Sequence, residues 1–236
     1  MAGMRSKAYA MSAEMRAIYG SDPRRPDAPG AEMGWNAALT ARVRFGDWDE
    51  ILADAAMVPS PESRPYAVVL RHYSTGLALL HRGSQAGAEA ELRALRELAP
   101  RVSSSYVALT RVANLTLSAA VALRNASVRT AVAMLQAASD EQMSWHYDEP
   151  PRWHFPVTQC LGWAQLKAGS FVAAQTTFLL DLKVYPQNGF GLAGLKAAAL
   201  AAGDDERARE AEEQLDEAWT AADVPQPRTS CAALDF

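Results

Sequence analysis

The sequence predicts an all-α fold built from repeated helix pairs, and two observations indicate it. Alanine accounts for 47 of the 236 residues, whereas aromatic residues make up 8%. Because alanine is the best helix former and is too small to fill the space between two sheets, this composition favours closely packed helices. Small residues and turn residues also recur at fixed spacings along the chain. The 49% hydrophobic fraction is sufficient to bury a core, which excludes intrinsic disorder.

The internal repeat is clearest when it is measured from Gly162. The residues 7, 12, 16 and 24 positions later are Gly169, Ala174, Phe178 and Pro186. The same spacings from Gly76 give Gly83, Ala88, Leu92 and Pro100. Weaker copies start at Leu39, Ala119 and Lys196. Each unit therefore predicts a first helix, a turn, and a second helix whose alanine crosses the first helix closely and which a proline ends.

The two ends of the chain differ from the repeated units. One helix is predicted over residues 6–19, and a proline-rich segment over 21–30 follows it. The last helix, over 204–222, has an apolar stripe opposite an acidic face, as expected of a unit that caps an array. We therefore expect an N-terminal helix and linker over residues 1–30, a repeat domain over 31–224 and a tail over 225–236.

These spacings and residue types resemble the tetratricopeptide repeat family over residues 34–224. Trp35, four residues before Leu39, occupies the place of the family's consensus tryptophan. Segments 44–52 and 147–153 are similar to the C-terminal region of larger bacterial-type tetratricopeptide proteins of no settled function. The resemblance implies a right-handed α-α superhelix of about five helix pairs plus an N-terminal helix. It also implies either an N-terminal cap or a longer array upstream.

The resemblance further implies that a peptide binds on the concave groove lined by the first helix of each unit. The residues five positions after four of the starts are basic: Arg44, His81, Arg124 and Lys167. Such a column suits an acidic segment or a C-terminal carboxylate. Alternatively, each cation stabilises the exposed carbonyls at the end of its own helix.

The middle of the same helices carries a second set of groove candidates, which is mostly uncharged. Its members are Asn36, Tyr73, Thr116, Gln159 and Trp163. Only Asn36 suits the clamp with which some family members bind chaperone C-termini, so a co-chaperone of that type is not expected. The aromatic and amide side chains instead favour an apolar or helical segment.

We therefore expect a helical-repeat scaffold that binds a protein or peptide, with no intrinsic catalysis and no cofactor. One alternative is a metal-assisted or acid–base enzyme that uses the loop over 146–154. Its candidate ligands are His146, Asp148, Glu149 and His154. No H-x-x-x-H or H-E-x-x-H spacing supports that site, and the prolines and tryptophans of the loop favour a docked structural segment. Another alternative is a self-associating assembly subunit, a homo-oligomer formed through an exposed end of the array.

Charge, hydropathy and cysteine content exclude further classes of protein. A net charge of −4 and a pI near 5.6 give no basis for nucleic-acid binding. No run approaches twenty uncharged apolar residues, so no membrane span is expected. Cys160 and Cys231 lack a C-x-x-C spacing, which we interpret as neither a zinc site nor a disulfide framework. This reading fits a reducing compartment, and residues 1–7 lack the apolar segment of a secretory signal, so we expect a cytoplasmic protein.

Overall fold

The computed structural model describes residues 3–20, 31–54, 64–146, 148 and 151–236. The described residues form an all-α fold without strands, which confirms the predicted fold class. Eleven α-helices occur in it: α1 Arg5–Met15, α2 Ala31–Phe45, α3 Trp48–Ala53, α4 Pro65–His81, α5 Gln85–Leu98, α6 Val107–Arg124, α7 Val128–Met143, α8 Val157–Lys167, α9 Phe171–Val184, α10 Gly189–Ala202 and α11 Asp205–Ala218. A π-helical turn, Arg16–Gly20, extends α1, and 3₁₀ turns occur at Ala99–Arg101, Ser104–Tyr106 and Ala232–Leu234. The proline-rich segment expected over 21–30 lies outside the described residues.

Helices α2 to α11 pack as five adjacent pairs, and each pair is joined by a turn that contains one residue with positive φ. These residues are Gly46, Gly83, Ala126, Gly169 and Gly203, with φ between 55° and 78°. Each lies seven residues after a predicted start, so the predicted register of the turns is confirmed. Alanine occupies the position once, at Ala126, where its Cβ makes the left-handed conformation unfavourable.

The alanines that were predicted at the crossings of the helix pairs are buried, as the prediction requires. The alanines twelve residues after the starts are all buried: Ala88, Ala131, Ala174 and Ala208. At the crossing of α8 and α9, the ring of Phe178 lies against Gly162, where an added Cβ would be 2.5 Å from Cζ. Since a side chain at Gly162 would push the ring away, the glycine allows the two helices to approach.

Neighbouring pairs pack on one another along the chain, with α7 on α8 and α9 on α10. Helix α11 ends the array and buries Ala208, Ala211 and Leu215, as the apolar stripe predicts. Among the described residues, Ser104–Arg124 is long and apolar enough by composition to cross a membrane. It nevertheless packs in the protein core as α6, between α4, α5 and α7, and half of its apolar window is buried.

The two ends of the helical array are in contact. The backbone N–H groups of Arg5 and Ser6, at the start of α1, donate to the Asp223 carboxylate at 2.6 and 2.7 Å. In return, the N–H of Asp223 donates to the carbonyl of Gly3 at 3.2 Å. Because Asp223 follows α11, this contact joins the first helix of the chain to its last helix.

Residues 225–236, which we call the tail, return from α11 across the array. The tail's 3₁₀ turn, Ala232–Leu234, contacts α2, α6 and α8, which are the first helices of three different pairs. Cys231, Ala233 and Leu234 are buried and belong to the main hydrophobic core. The tail is therefore packed on the surface that the sequence analysis assigned to a ligand.

Candidate functional site

Helix α8 fixes the middle of the tail by two bonds. The Ser230 hydroxyl donates to the Gln159 carbonyl at 2.9 Å, and both residues are fully buried. The next residue, Cys231, forms a disulfide with Cys160. The interpretation of the cysteines as unpaired was wrong, because packing of the tail on α8 brings together two residues that are 71 positions apart. Since disulfides persist in oxidising environments, the cysteines do not support the predicted reducing compartment.

The last residue of the chain lies between two of the predicted basic groove residues. The ring of Phe236 meets the edge of His81 with the centroids 5.3 Å apart, and the guanidinium of Arg124 lies 5.3 Å from the same ring. Trp48 stacks on His81 at 4.1 Å between centroids. We call this surface the tail groove, defined by the residues that contact the tail: His81 of α4, Arg124 of α6, and Gln159 and Cys160 of α8.

Burial controls the charge of the imidazole in the tail groove. It lowers the pKa of His81, an effect opposed by the nearby carbonyls of Ala233 and Ala232 and by the Asp235 carboxylate. His81 is therefore neutral at pH 7, and Arg124 supplies the positive charge beside Phe236. The predicted basic column thus presents one cation and one neutral ring to the tail.

Arg44, which also belongs to the predicted basic column, has a different environment. Its Nη1 donates to the side-chain oxygen of Gln159 at 2.8 Å, and its guanidinium lies 3.5 Å from the ring centroid of Phe190. Gln159 in turn donates to Asp181 at 3.0 Å, and the Thr158 hydroxyl donates to the same carboxylate at 2.7 Å. An amide therefore separates the Arg44 cation from the nearest buried carboxylate.

The two buried charged groups of this hydrogen-bonded chain, Arg44 and Asp181, have shifted pKa values. Burial lowers the pKa of Arg44 to about 9, and the charge of Asp181 opposes that shift. Burial also raises the pKa of Asp181, against the hydrogen bonds from Thr158 and Gln159 and the charge of Arg44. Among the described residues, Nε and Nη2 of Arg44 have no hydrogen-bond partner. Arg44 thus remains a cation at pH 7, although only one of its three side-chain nitrogens has a hydrogen-bond partner among the described residues.

The fourth basic residue, Lys167, lies away from the tail. It is exposed in the last turn of α8, and its ammonium group lies 4.7 Å from the ring centroid of Trp163. This position matches the alternative reading, in which the cation stabilises the end of its own helix. The structure therefore places His81 and Arg124 at Phe236, whereas Arg44 contacts Gln159 and Lys167 contacts Trp163.

The uncharged groove candidates lie mostly below the surface. Asn36, Tyr73, Thr116 and Gln159 are buried, and Trp163 is partly buried. Tyr73 packs under the loop before α8, with its ring 5.4 Å from Trp153 and 6.0 Å from His154. Burial raises the pKa of Tyr73, which stays protonated. These side chains support the tail groove and the loop from beneath.

The predicted metal ligands of the loop are spread between solvent and core. His146 and Asp148 are exposed, whereas His154 faces Trp153 and Phe155, and Glu149 lies outside the described residues. Over the described ranges no three His, Cys, Asp or Glu side chains gather as a metal requires. Burial, and secondarily the charge of Arg44, lower the pKa of His154 to about 3. Trp153 lies in the loop, since α8 begins at Val157.

No protein-family model matches the chain, and no curated protein matches its sequence. The tetratricopeptide resemblance therefore stays a prediction that depends on the repeat register. The tail was not among the site residues predicted from the sequence. Two sequence features could have indicated that the tail packs on the helices. One is the pair Pro225 and Pro227, which favours an extended backbone, and the other is the apolar end of the chain, with Leu234 and Phe236.

Proposed function

We propose that the protein is a helical-repeat scaffold of the tetratricopeptide type that binds a partner protein through the tail groove. The partner presents an extended, mainly apolar segment that carries an aromatic residue. The observation that carries this proposal is the position of the Phe236 ring between His81 and Arg124. The protein's own tail occupies the groove as the partner segment would.

The chemistry of the groove supports this class of segment. Trp48 and His81 provide stacked rings against which an aromatic side chain packs, and Arg124 adds a cation–π contact. Leu234 shows that an aliphatic residue two positions earlier is buried at the same surface. Peptide recognition of this kind combines apolar anchors with a few polar contacts that fix the register of the segment.

Binding requires no cleavage of the disulfide. Cys231 stays bonded to Cys160 while residues 232–236 leave the groove, because these five residues follow the bonded cysteine. The tail thus competes with a partner and lowers the apparent affinity by the fraction of time that it occupies the groove. Weakening the tail should therefore strengthen partner binding.

A synthetic peptide tests this proposal. It carries residues 232–236, the segment that leaves the groove, and its binding to the oxidised full-length chain is measured by fluorescence anisotropy. We expect Phe236→Ala protein to bind the peptide at least about fivefold more tightly than wild type, because its own tail competes less well. Adding Arg124→Glu should remove that gain, and adding Lys167→Glu should leave it.

Lys167→Glu is the matched control, since it reverses the same charge at a base that contacts Trp163 instead of the tail. The proposal is overturned if the peptide does not bind Phe236→Ala protein, or if it binds all variants equally. It is also overturned if Lys167→Glu weakens binding as much as Arg124→Glu, because the seat of Phe236 would then not be the site.

A further inference from the structure

A cavity of about 360 Å³ lies beneath the tail, on the side of Arg44. Helices α2, α3 and α10 provide its walls, Trp219 after α11 closes one side, and tail residues from Pro225 to Asp235 cover it. The volume falls within the range of sites that hold small molecules. The cavity adjoins the tail groove and shares His81 with it, whereas Arg124 and Phe236 do not line the cavity.

The walls of the cavity are largely aromatic. Phe45 and Trp48 line it from the first helix pair, and Phe190 and Trp219 from the last. Phe190 and Trp219 meet edge to face at 5.5 Å between centroids, which fixes two walls at an angle to each other. Such walls suit a flat ring, because stacked and edge contacts bury its surface without unpaired polar groups.

The polar side chains of the lining carry more positive than negative charge. Three arginines line the cavity, and Asp235 is its acidic residue. Arg5 is neutralised by Asp47 at 2.6 Å. Arg44 has only the amide of Gln159 as a hydrogen-bond partner among the described residues, and Arg228 has no ion pair among them.

Asp235 forms no ion pair with either of these two arginines among the described residues. A guanidinium in a partly buried site binds a carboxylate more strongly than any neutral group, often through two parallel hydrogen bonds. The cavity thus combines a wall for a ring with cations for an anion. It lacks a second acid that would repel the anion from Arg44.

We propose that this cavity is a binding site for a small aromatic carboxylate, with the ring against the aromatic walls and the carboxylate at Arg44 and Arg228. The tail forms the roof of the site. A bound ligand therefore stabilises the tail in place and opposes peptide binding at the tail groove. The proposal does not depend on the function proposed above, because the ligand binds the closed form of the wild-type chain.

Isothermal titration of the oxidised wild-type protein tests the proposal with three probes: indole-3-carboxylate, its amide, and inorganic phosphate. We expect the carboxylate to bind with a Kd of about 1 mM or tighter, as befits roughly a dozen heavy atoms. The amide and phosphate should bind at least about tenfold more weakly, since one lacks the charge and the other lacks the ring.

Two full-length variants locate the site. Arg228→Gln should weaken the carboxylate at least about fivefold, and Ala232→Leu, which fills the cavity from the roof, should abolish binding. Arg209→Gln is the matched control, because Arg209 pairs with Glu213 on the outer face of α11. Absence of carboxylate binding, equal binding of the amide, or equal effects of Arg228→Gln and Arg209→Gln would overturn the proposal.

Discussion

The guanidinium of Arg124, in the last turn of α6, lies 5.3 Å from the ring centroid of Phe236, the last residue of the chain. The two residues are brought together by the path of the tail, which leaves α11 and crosses three other helices. His81 of α4 contacts the Phe236 ring, and Trp48 of α3 stacks on His81. Phe236 therefore lies between residues of two helices, α4 and α6.

Phe236→Ala should release the segment after Cys231 without unfolding the helices. The variant loses the cation–π contact, about 0.5–1 kcal/mol, and part of the apolar burial of the ring. We expect amide hydrogen exchange of residues 232–235 to accelerate about 5- to 30-fold, which corresponds to about 1–2 kcal/mol. Exchange in α8 should stay unchanged, because the disulfide and Ser230 still hold the tail there. Acceleration throughout α8 would contradict a local role.

Cys231→Ser should lower the free energy of unfolding by about 2–4 kcal/mol, because the bond closes a long loop and restricts the unfolded chain. The bridge joins residues 71 positions apart, so the loop-closure effect is large. Urea denaturation under oxidising conditions measures the difference. In the presence of a reductant, wild type and variant should agree within about 0.5 kcal/mol. A difference that persists after reduction would assign the loss to packing of the side chain instead.

The turns and crossings of the helix pairs could be predicted from the sequence because local residue types determine them. A turn that needs positive φ selects glycine, and a close crossing selects alanine or glycine. Gly83 and Gly169 occur where the register places them, with φ of 78° and 74°. Such signals depend on a few neighbouring residues, so they survive in a single sequence.

The closure of the array and the seat of the tail could not be predicted, because both depend on long-range contacts. Arg5 and Asp223 are 218 residues apart, and no spacing rule connects them. The basic column shows the same limit. Equal offsets place Arg44 and Arg124 at equivalent helix positions, yet Arg44 turns to Gln159 and Arg124 to Phe236. The offset determines the position on the helix, whereas the neighbours determine the direction of the side chain.

Ala126→Gly should stabilise the protein. Ala126 has a φ of 55° in the turn between α6 and α7, where the four equivalent turns have glycine. Relief of the clash of its Cβ with the backbone is worth about 1–2 kcal/mol, from which about 0.5–1 kcal/mol is lost to the greater freedom of unfolded glycine. We expect a net gain of about 0.5–1 kcal/mol in the free energy of unfolding by urea denaturation.

The exposed residue Ala137, in the middle of α7, provides the matched control for that substitution. Ala137→Gly should destabilise by about 1 kcal/mol, because the helical backbone has no strain for glycine to relieve. Opposite signs for the two substitutions are the decisive result. A loss of stability in both variants would show that the turn does not hold Ala126 in the left-handed conformation.

His154 should make the protein less stable as the pH falls below 6.5. The pKa of His154 is about 3 in the folded chain, whereas an unfolded histidine titrates near 6.5. Between these values the unfolded chain binds more protons than the native chain, so unfolding becomes more favourable with decreasing pH. The limit is about 1.4 kcal/mol per pH unit. Because the residue as a whole is only partly buried, solvent screening reduces this limit.

Other groups titrate in the same range, so the prediction concerns the difference between wild type and His154→Gln. The pKa of Asp181 is raised in the folded chain, which acts in the opposite direction, because the native carboxyl takes up its proton before the unfolded one. The same contribution is present in both proteins and cancels. From pH 6.5 to 5, wild type should lose about 1 kcal/mol more than His154→Gln in urea denaturation. Equal losses in the two proteins, or a His154 imidazole that titrates near 6.5 by NMR, would mean that burial does not hold His154 neutral.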